Sequence, residues 1–174
     1  MTDCVFCKIR DGQIPSMKIY EDEHTMCIMD INPLNSGHCL VITKAHAPNL
    51  FEADVADLHA AIATAQRVAR AIREGLQPDG LNMLQANGAA AFQSVLHYHL
   101  HLIPRWTNDG KGFDWKLVPG NREQIMKVGE RLRALLHGRW PSGRSGSWWR
   151  SPAWTGTTAA RRSWPGPCGT PASR

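Results

Sequence analysis

The chain has 174 residues, 43% of them hydrophobic, which is enough for one domain with an apolar core and leaves little room for a second. No run of apolar residues reaches the roughly 18 that a membrane helix needs, and the N-terminus carries charges where a secretory signal has an apolar run. The five cysteines include Cys4-x-x-Cys7, and their odd number fits free or metal-bound thiols better than a disulfide framework. These features predict a cytoplasmic protein with no membrane partner.

The net charge of +5 is confined to the C-terminal end of the chain. Residues 1–138 hold 14 Lys and Arg against all 15 Asp and Glu, a net charge of −1, and the other six basic residues lie in 139–174. A nucleic-acid partner is therefore not expected for residues 1–138.

Residues 139–174 differ from the rest of the chain in composition. They contain five of the seven tryptophans and no acidic residue, and they show no period of 2 or 3.6. Three interpretations stay open: a disordered arm, an Arg/Trp segment that binds nucleic acid or membrane, and out-of-frame sequence after a frameshift. We expect one domain at 1–138 and a tail at 139–174.

The first half of the domain predicts strands followed by a long helix. Residues 18–30 and 37–44 contain β-branched apolar runs separated by turn residues, which indicates adjacent strands. From residue 53 to 74 apolar side chains recur every three or four positions, which indicates an amphipathic helix. Asp54 is its expected N-cap, and Gly75 and Pro78 are its expected stop signals.

The second half predicts two more strands and a second helix. Residues 81–87 and 94–104 have strand patterns, and 122–136 place Ile125, Val128, Leu132 and Leu135 on one helical face. Strands and helices grouped in this way favour an α+β fold: an antiparallel sheet with one long and one C-terminal helix.

The segment HYHLHLIPRW, residues 97–106, carries histidines at alternate positions. A period of 2 sends His97, His99 and His101 to one face of a strand, and the apolar residues between them to the other. The pattern predicts one wet, chemically active face and one buried face. Three histidines on one strand face also suit a tri-His metal site of the hydrolytic zinc type.

Several motifs in order along the chain resemble those of the histidine triad (HIT) nucleotide hydrolases and transferases. The motif His-φ-His-φ-His-φ-φ, in which φ is apolar, matches residues 97–103. The resemblance covers about residues 4 to 136 and rests also on CVFCKI (4–9), IP (14–15), DINPLNSGHCLVITKAH (30–46) and NGAAAFQSVLHYHLH (87–101). The HLIPR ending is similar to the longer bacterial branch of the family.

The resemblance implies a nucleotidyl transfer with a division of roles among polar residues. His99, the middle histidine, would attack the α-phosphorus and form a nucleotidyl-histidine that water then hydrolyses. His101 and His38 match positions around the phosphate, where imidazoles stabilise oxygens or pass a proton to the leaving group. Gln93 and Ser94 match polar positions that contact bridging or leaving-group atoms, although a turn before a strand also commonly has polar residues.

Other residues match the nucleoside-binding positions of the family. Asp30 matches the carboxylate that accepts hydrogen bonds from ribose hydroxyls, and Asn87 matches a polar position near the phosphate. The positions that sandwich the base are matched by Val5, Phe6, Ile9 and Ile31.

Two cysteines and two histidines form a candidate zinc site. Cys4 and Cys7, His46 after a strand, and His97 supply two thiolates and two imidazoles, the ligand set of a closed tetrahedral site. Family members with this N-terminal cysteine pair are similar in using the first triad histidine as a ligand. Thiols that simply pack in the core are the alternative.

The sequence therefore predicts a homodimer, paired through the 53–74 helix as in the family, that hydrolyses phosphoanhydride or phosphoramidate bonds of nucleotides. Dinucleoside polyphosphates and aminoacyl-adenylate-like compounds are the candidate substrates. Two alternatives stay open: a nucleotide-binding regulatory module with little turnover, and a tri-His metallohydrolase.

Overall fold

The structure is a computed structural model that describes residues 3–112 and 119–137. Two compact units divide the chain, Met1–Trp115 and Lys116–Arg174. The first unit contains the whole sheet, and the second contains one described helix. The predicted boundary at residue 138 and the predicted tail at 139–174 lie outside the described residues.

The first unit is built around a five-stranded antiparallel sheet. Its strands are β1 (Lys18–Glu21), β2 (Thr25–Met29), β3 (Cys39–Thr43), β4 (Gly80–Leu84) and β5 (His99–Arg105). Their order is β1-β2-β3-β5-β4, so β5 lies between β3 and β4 and is hydrogen-bonded on both sides. The predicted α+β class and antiparallel sheet are confirmed.

A long helix, α2 (Val55–Leu76), covers one face of the sheet. Its N-cap is Asp54, as predicted, and the Asp54 carboxylate accepts the Ala56 N–H. The helix passes the expected stop at Gly75 and ends at Leu76, and its C-cap Gln77 adopts the left-handed conformation that usually favours glycine. The core on this face includes helix residues, the strand residues Cys27, Cys39, Val41, Leu100 and Leu102, and Tyr98 directly before β5.

A short helix, α1 (Val5–Arg10), contributes to the core on the face of the sheet opposite to α2. No pattern in the sequence predicted this helix. Six residues are too few for a helical period to be visible in the sequence. Its Phe6 and Ile9 pack with strand residues Met26, Ile28, Leu40 and Ile42. Because Leu40 and Ile42 pair with His101 and His99, α1 lies on the face of the sheet that carries the histidines.

Two expectations about the histidine strand were wrong in detail. The strand begins at His99 rather than at residue 94, because residues 95–98 form a bend whose main chain bonds within itself and to Ala47. The expected wet face is in fact largely covered, since His97 is fully buried and His99 is 2% exposed. Helix α1 provides this cover, and Phe6 contacts both rings edge to face.

The second unit contains α3 (Arg122–His137), whose bounds are close to the predicted 122–136. The four apolar residues predicted on one face of this helix are all more than half exposed. None of the described helices is both long and apolar enough to cross a membrane.

Candidate active site

The candidate site lies where β5 meets three connecting segments: the chain before α1, the loop between β2 and β3, and the segment after β3. These segments place Cys4, Asp30, His38 and His46 close to the side chains of His97, His99 and His101. Residues far apart in sequence therefore meet around His97, His99 and His101.

A main-chain carbonyl two residues earlier in the chain holds His99 in one tautomer. Its Nδ1 lies 2.6 Å from the carbonyl oxygen of His97, and a carbonyl only accepts, so Nδ1 carries the proton. Nε2 therefore keeps its lone pair. Burial lowers the pKa of His99, while the His97 carbonyl and Asp30 oppose that shift. A neutral imidazole with a free lone pair is the form that a nucleophile requires.

His97 has the opposite tautomer. Its Nε2–H donates to the Thr43 carbonyl oxygen at 2.7 Å, which leaves a lone pair on Nδ1. Burial lowers the pKa of His97 to about 4, against the effect of the Thr43 carbonyl. The ring therefore presents an unprotonated nitrogen on its Nδ1 side.

That nitrogen points into a group of four metal-ligating side chains. His97 Nδ1 lies 3.3 Å from Cys4 Sγ, 3.7 Å from Cys7 Sγ and 3.2 Å from His46 Nδ1. All four donor atoms lie within 4.8 Å of one another. A tetrahedral zinc site with two sulfur and two nitrogen ligands needs donor separations of about 3.4–3.8 Å. The predicted set of Cys4, Cys7, His46 and His97 thus has the chemistry of a zinc site and donor separations close to those that zinc requires, and it could hold the ion.

His101 is part of a relay with His38. The main-chain N–H of Leu34 donates to His38 Nδ1 at 3.0 Å, so the proton of a neutral His38 sits on Nε2. His38 Nε2 lies 2.9 Å from His101 Nδ1 and donates to it. His101 therefore carries its proton on Nε2.

Burial keeps this relay neutral. It lowers the pKa of His38, with Asp30 opposing, and it lowers the pKa of His101 to about 4 with help from His99 and His38. At neutral pH the relay therefore contains two uncharged rings in fixed tautomers.

Asp30, His38 and His101 also lie close enough to suggest a second metal site. The Asp30 carboxylate is 3.5 Å from His38 Nε2, and that nitrogen is the one that carries the proton. A metal ligand needs the lone pair of a deprotonated nitrogen. The hydrogen bond from Leu34 therefore disfavours metal binding by this group, in contrast to the cysteine group.

The other predicted polar residues lie in the loop before β5. The Gln93 amide donates to the Pro48 and Val95 carbonyls and accepts from Gly88 N–H, so it organises the loop. Asn87 accepts from Leu50 N–H and exchanges hydrogen bonds with Gln85. Ser94 is exposed.

The predicted nucleoside-binding residues divide into an exposed and a buried pair. Ile31 is 90% exposed and Val5 is 37% exposed, whereas Phe6 and Ile9 are buried in the core against the sheet. Asp30 lies at the start of the same loop as Ile31, and its Oδ1 accepts the Asn32 N–H.

A carbonyl that holds the second nitrogen of His99 is expected for a nucleophilic histidine, but the sequence does not identify which main-chain groups set the tautomers. The Thr43 and His97 carbonyls and the Leu34 N–H act through atoms that every residue type other than proline possesses. No side-chain pattern could have identified them.

The HIT domain family model matches residues 11–108 of this chain. Protein hit from Bacillus subtilis is 47% identical over 115 residues, which cover 66% of this chain and 79% of that protein. An adenylylsulfatase from Arabidopsis thaliana is 44% identical over 62% of this chain and 54% of its own length. An adenosine 5'-monophosphoramidase from Schizosaccharomyces pombe is 36% identical over 76% of this chain and 98% of its own length.

Solved structures show the same fold. A HIT family protein from Bacillus anthracis superposes with a TM-score of 0.71 at 38% identity, covering 76% of this chain and 96% of that one. A Zn-bound histidine triad family protein from Mycobacterium smegmatis has a TM-score of 0.61 at 41% identity, with coverage of 77% and 95%.

Proposed function

Because the chain belongs to the HIT domain family, we propose that it is a nucleotide hydrolase or transferase that acts through a covalent nucleotidyl-His99. The observation that carries this proposal is the bond from His99 Nδ1–H to the His97 carbonyl, which leaves the Nε2 lone pair available. Two relatives named as an adenylylsulfatase and an adenosine 5'-monophosphoramidase support hydrolysis at a nucleotide phosphorus.

In the first step, His99 Nε2 attacks the α-phosphorus of the nucleotide. A nitrogen–phosphorus bond forms, and the bond from phosphorus to the leaving oxygen or nitrogen breaks. The leaving atom takes the electron pair of that bond together with a proton from His101 Nε2–H, the His38 Nε2–H proton passes to His101 Nδ1, and a solvent proton replaces it at His38 Nε2, so that the only new charge is the positive one on nucleotidyl-His99. Donation before departure avoids release of a poorly stabilised anion.

In the second step, water attacks the same phosphorus. Its oxygen forms the new bond, the bond to His99 Nε2 breaks with its electron pair returning to that nitrogen, and a water proton passes to His101 Nε2 while the relay returns one proton to solvent through His38. The products are a nucleoside monophosphate and the regenerated neutral histidines. Dinucleoside polyphosphates and nucleoside phosphoramidates both fit this sequence of steps.

The exposed side chains of Ile31 and Val5 support the proposal that a nucleoside binds beside the phosphate. Ile31 and Val5 offer apolar contacts to a base, and Asp30 has a carboxylate oxygen for the ribose hydroxyls. The buried Phe6 and Ile9 support this surface from below rather than offering exposed faces of their own. Gln93 and Asn87 organise the loop that contains Ser94, and Ser94 is proposed to contact the leaving group.

The four-residue cysteine group is proposed to hold a structural zinc. Bound zinc would supply a cross-link between the segment before α1, the segment after β3 and the start of the histidine strand. His97 suits this role because the Thr43 carbonyl holds its proton on Nε2 and directs Nδ1 to the thiols. The Zn-bound relative from Mycobacterium smegmatis supports the proposal.

A homodimer paired through α2 is also proposed. Val55, Ile62 and Leu76 lie at seven- or fourteen-residue spacing on one stripe of the helix, and each is roughly half exposed. An apolar stripe of this kind suits a second copy of the helix. Light scattering at micromolar concentration should give twice the chain mass, and Ile62→Glu should give the monomer mass. A monomer mass for the wild type would reject the dimer.

The alternative functions make different predictions. A regulatory module would bind nucleotides without turnover. A tri-His metallohydrolase would need three convergent ring nitrogens, whereas His97 directs its Nδ1 lone pair to Cys4, Cys7 and His46. A chelator should abolish catalysis by a metallohydrolase, but here it should act mainly on stability.

The decisive experiment is acid quenching with a nucleoside phosphoramidate or dinucleoside polyphosphate radiolabelled at the α-phosphate. We expect a labelled peptide that contains residues 97–101, with the label on His99. The matched control is His24→Ala, because His24 is an exposed histidine in the turn between β1 and β2, and this variant should label normally. Label on His97 or His101, or full turnover by His99→Gly, would refute the proposal.

A further inference from the structure

The loop between β2 and β3 carries two residues of the candidate site but little apolar anchoring of its own. It runs from Asp30 to His38, and residues 31–34 and 36 are exposed. A loop with so few buried side chains needs polar contacts to hold a fixed shape. Asn35 is partly buried and provides these contacts.

Asn35 binds the end of β5 through its side-chain amide. Its Nδ2 donates to the Pro104 carbonyl at 3.1 Å and to Asp109 Oδ2 at 3.0 Å, while its Oδ1 accepts the Ser36 N–H at 3.1 Å. Two of these partners only accept and the third only donates, so the amide can have only one orientation. Asn35 thus attaches the loop to the strand that carries His99 and His101.

Asp109 is the fixed point of this attachment. Its carboxylate accepts from Arg105 Nε at 2.7 Å and Nη2 at 2.8 Å, and from the Trp106 and Lys111 main-chain N–H groups. Arg105 in turn donates from Nη1 to Asn82 of β4 at 2.8 Å. A bidentate arginine–carboxylate pair has a well-defined geometry, so the network is rigid where Asn35 binds.

The same loop fixes the histidine relay. The Asn35 carbonyl accepts the His38 N–H at 3.1 Å, and the neighbouring Leu34 N–H donates to His38 Nδ1. This main-chain donor holds the His38 proton on Nε2, and the contact with His101 then places the His101 proton on Nε2. A displacement of the loop would remove the Leu34 donor that directs the proton of both rings to Nε2.

We propose that Asn35, held by Asp109 and Arg105, is a positioning residue that fixes the tautomers of His38 and His101. Asn35 does not touch the reacting atoms. It keeps the Leu34 N–H against His38, and His101 consequently presents Nε2–H to the leaving group. The catalytic meaning of this arrangement rests on the proposed function, but the tautomers are a property of the free protein.

The test is nitrogen NMR of the full chain with 15N-labelled histidine, at neutral pH and without nucleotide. In the wild type, His38 and His101 should each show one protonated nitrogen at Nε2 and one unprotonated nitrogen at Nδ1. In Asn35→Ala, the nitrogen chemical shifts of both rings should move towards the values expected for an average of the two tautomers. Spectra of His38→Gln and His101→Gln assign the signals.

The matched control is Asn32→Ala. Asn32 is an exposed asparagine of the same loop, and its bond to Asp30 uses the main-chain N–H, which alanine retains. Its histidine signals should equal those of the wild type. In turnover assays Asn35→Ala should lower kcat by about 10-fold to 100-fold with a smaller change in KM, because misplacement acts mainly on the transition state.

Wild-type tautomer signals in Asn35→Ala would overturn the proposal, whatever the activity. If Asn35→Ala does not fold, Asp109→Asn provides the same test, because it weakens the fixed point without removing the loop contact to Pro104. Averaged tautomers in a protein that hydrolyses no nucleotide would support the positioning role and reject the proposed function. The two ideas can therefore fail separately.

Discussion

At the scale of single residues, hydrogen bonds to the main chain or to His38 give His97, His99 and His101 different chemical properties. His97 keeps a lone pair on Nδ1 and His99 keeps one on Nε2, because a carbonyl holds the proton on the other nitrogen in each case. His101 receives a hydrogen bond at Nδ1 and carries its proton on Nε2. One residue type thus supplies the proposed metal ligand, the proposed nucleophile and the proposed proton donor.

These differences predict unequal effects of substitution. His99→Gly should lower turnover at least about 10³-fold while nucleotide affinity changes by less than about 10-fold, because a nucleophile acts in the transition state. His101→Ala should lower turnover by about 10²-fold and still form the labelled intermediate, because the attacking atom remains. Single-turnover kinetics with equilibrium binding measures both effects. Equal losses for the two variants would contradict the division of roles.

The buried neutral relay predicts a pH dependence of stability. His101 has a pKa of about 4 in the folded protein, whereas an unfolded histidine titrates near its ordinary value of 6.5. As pH falls from 6.5 towards 4, the unfolded state takes up the proton first, and the free energy of unfolding decreases by up to about 1.4 kcal/mol per pH unit for this group.

Urea denaturation at pH 7.5 and pH 5.0 measures this change. His101→Gln should lose less stability on acidification than the wild type, because glutamine does not titrate. His24→Gln, which replaces an exposed histidine, should follow the wild type. An identical pH dependence in His101→Gln and the wild type would show that His101 does not stay neutral in the folded state.

At the scale of elements, the β2–β3 loop must pass very close to the end of α2. Gly37, directly before His38, has φ +80°, and a Cβ there would overlap Leu76 Cδ1 and lie 3.1 Å from Pro104 Cγ. Both the left-handed backbone and the lack of space require glycine at this position.

Gly37→Ala should therefore destabilise the fold by about 1–3 kcal/mol and lower kcat, because His38 is displaced together with the backbone. Gly12→Ala is the matched control: Gly12 also has a positive φ of +73° but has no atom within 4 Å of the added Cβ. It should lose less stability and keep its kcat. Urea denaturation and initial rates measure both, and equal stability losses would contradict the crowding at Gly37.

Helix α1 brings Cys4 and Cys7 to the same side one turn apart, and it is the element that bound zinc would stabilise most. The protein, purified without an affinity tag, should contain about one zinc per chain. Cys7→Ser should lose the metal and lower the melting temperature by more than about 10 °C, with a smaller proportional loss of kcat.

Cys168→Ser is the control for this substitution, because Cys168 is not in the ligand set and should leave metal content unchanged. Elemental analysis and thermal denaturation provide the measurements. Absence of stoichiometric zinc from the wild type would reject the structural zinc.

At the scale of the whole molecule, composition divides the chain near residue 138. We expect that a chain ending at Gly138 keeps its fold and its hydrolysis and becomes more soluble, because five tryptophans and the basic excess are removed. Circular dichroism, initial rates and light scattering measure these three properties. Unfolding of the truncated chain would place residues 139–174 in the core, and loss of nucleic-acid binding alone would support an Arg/Trp arm.

Much of the architecture could be predicted from local patterns. The 3.6-residue period and Asp54 predicted α2, and apolar runs predicted the sheet, because these signals depend on residues near one another in sequence. The family followed from ordered motifs, and the comparisons confirmed it. Helix α1 was missed because one and a half turns leave no period to detect.

The sequence by itself determined which side chains are available for chemistry: three alternating histidines, a cysteine pair, His38, His46 and Asp30. The tertiary structure alone decided which ring nitrogen of each histidine carries the proton. A neutral imidazole can place its proton on either nitrogen at little cost, so its tautomer depends on which nitrogen meets a main-chain donor or acceptor. For His97 that group is the carbonyl of Thr43, 54 positions earlier in the chain, and only folding brings the two together.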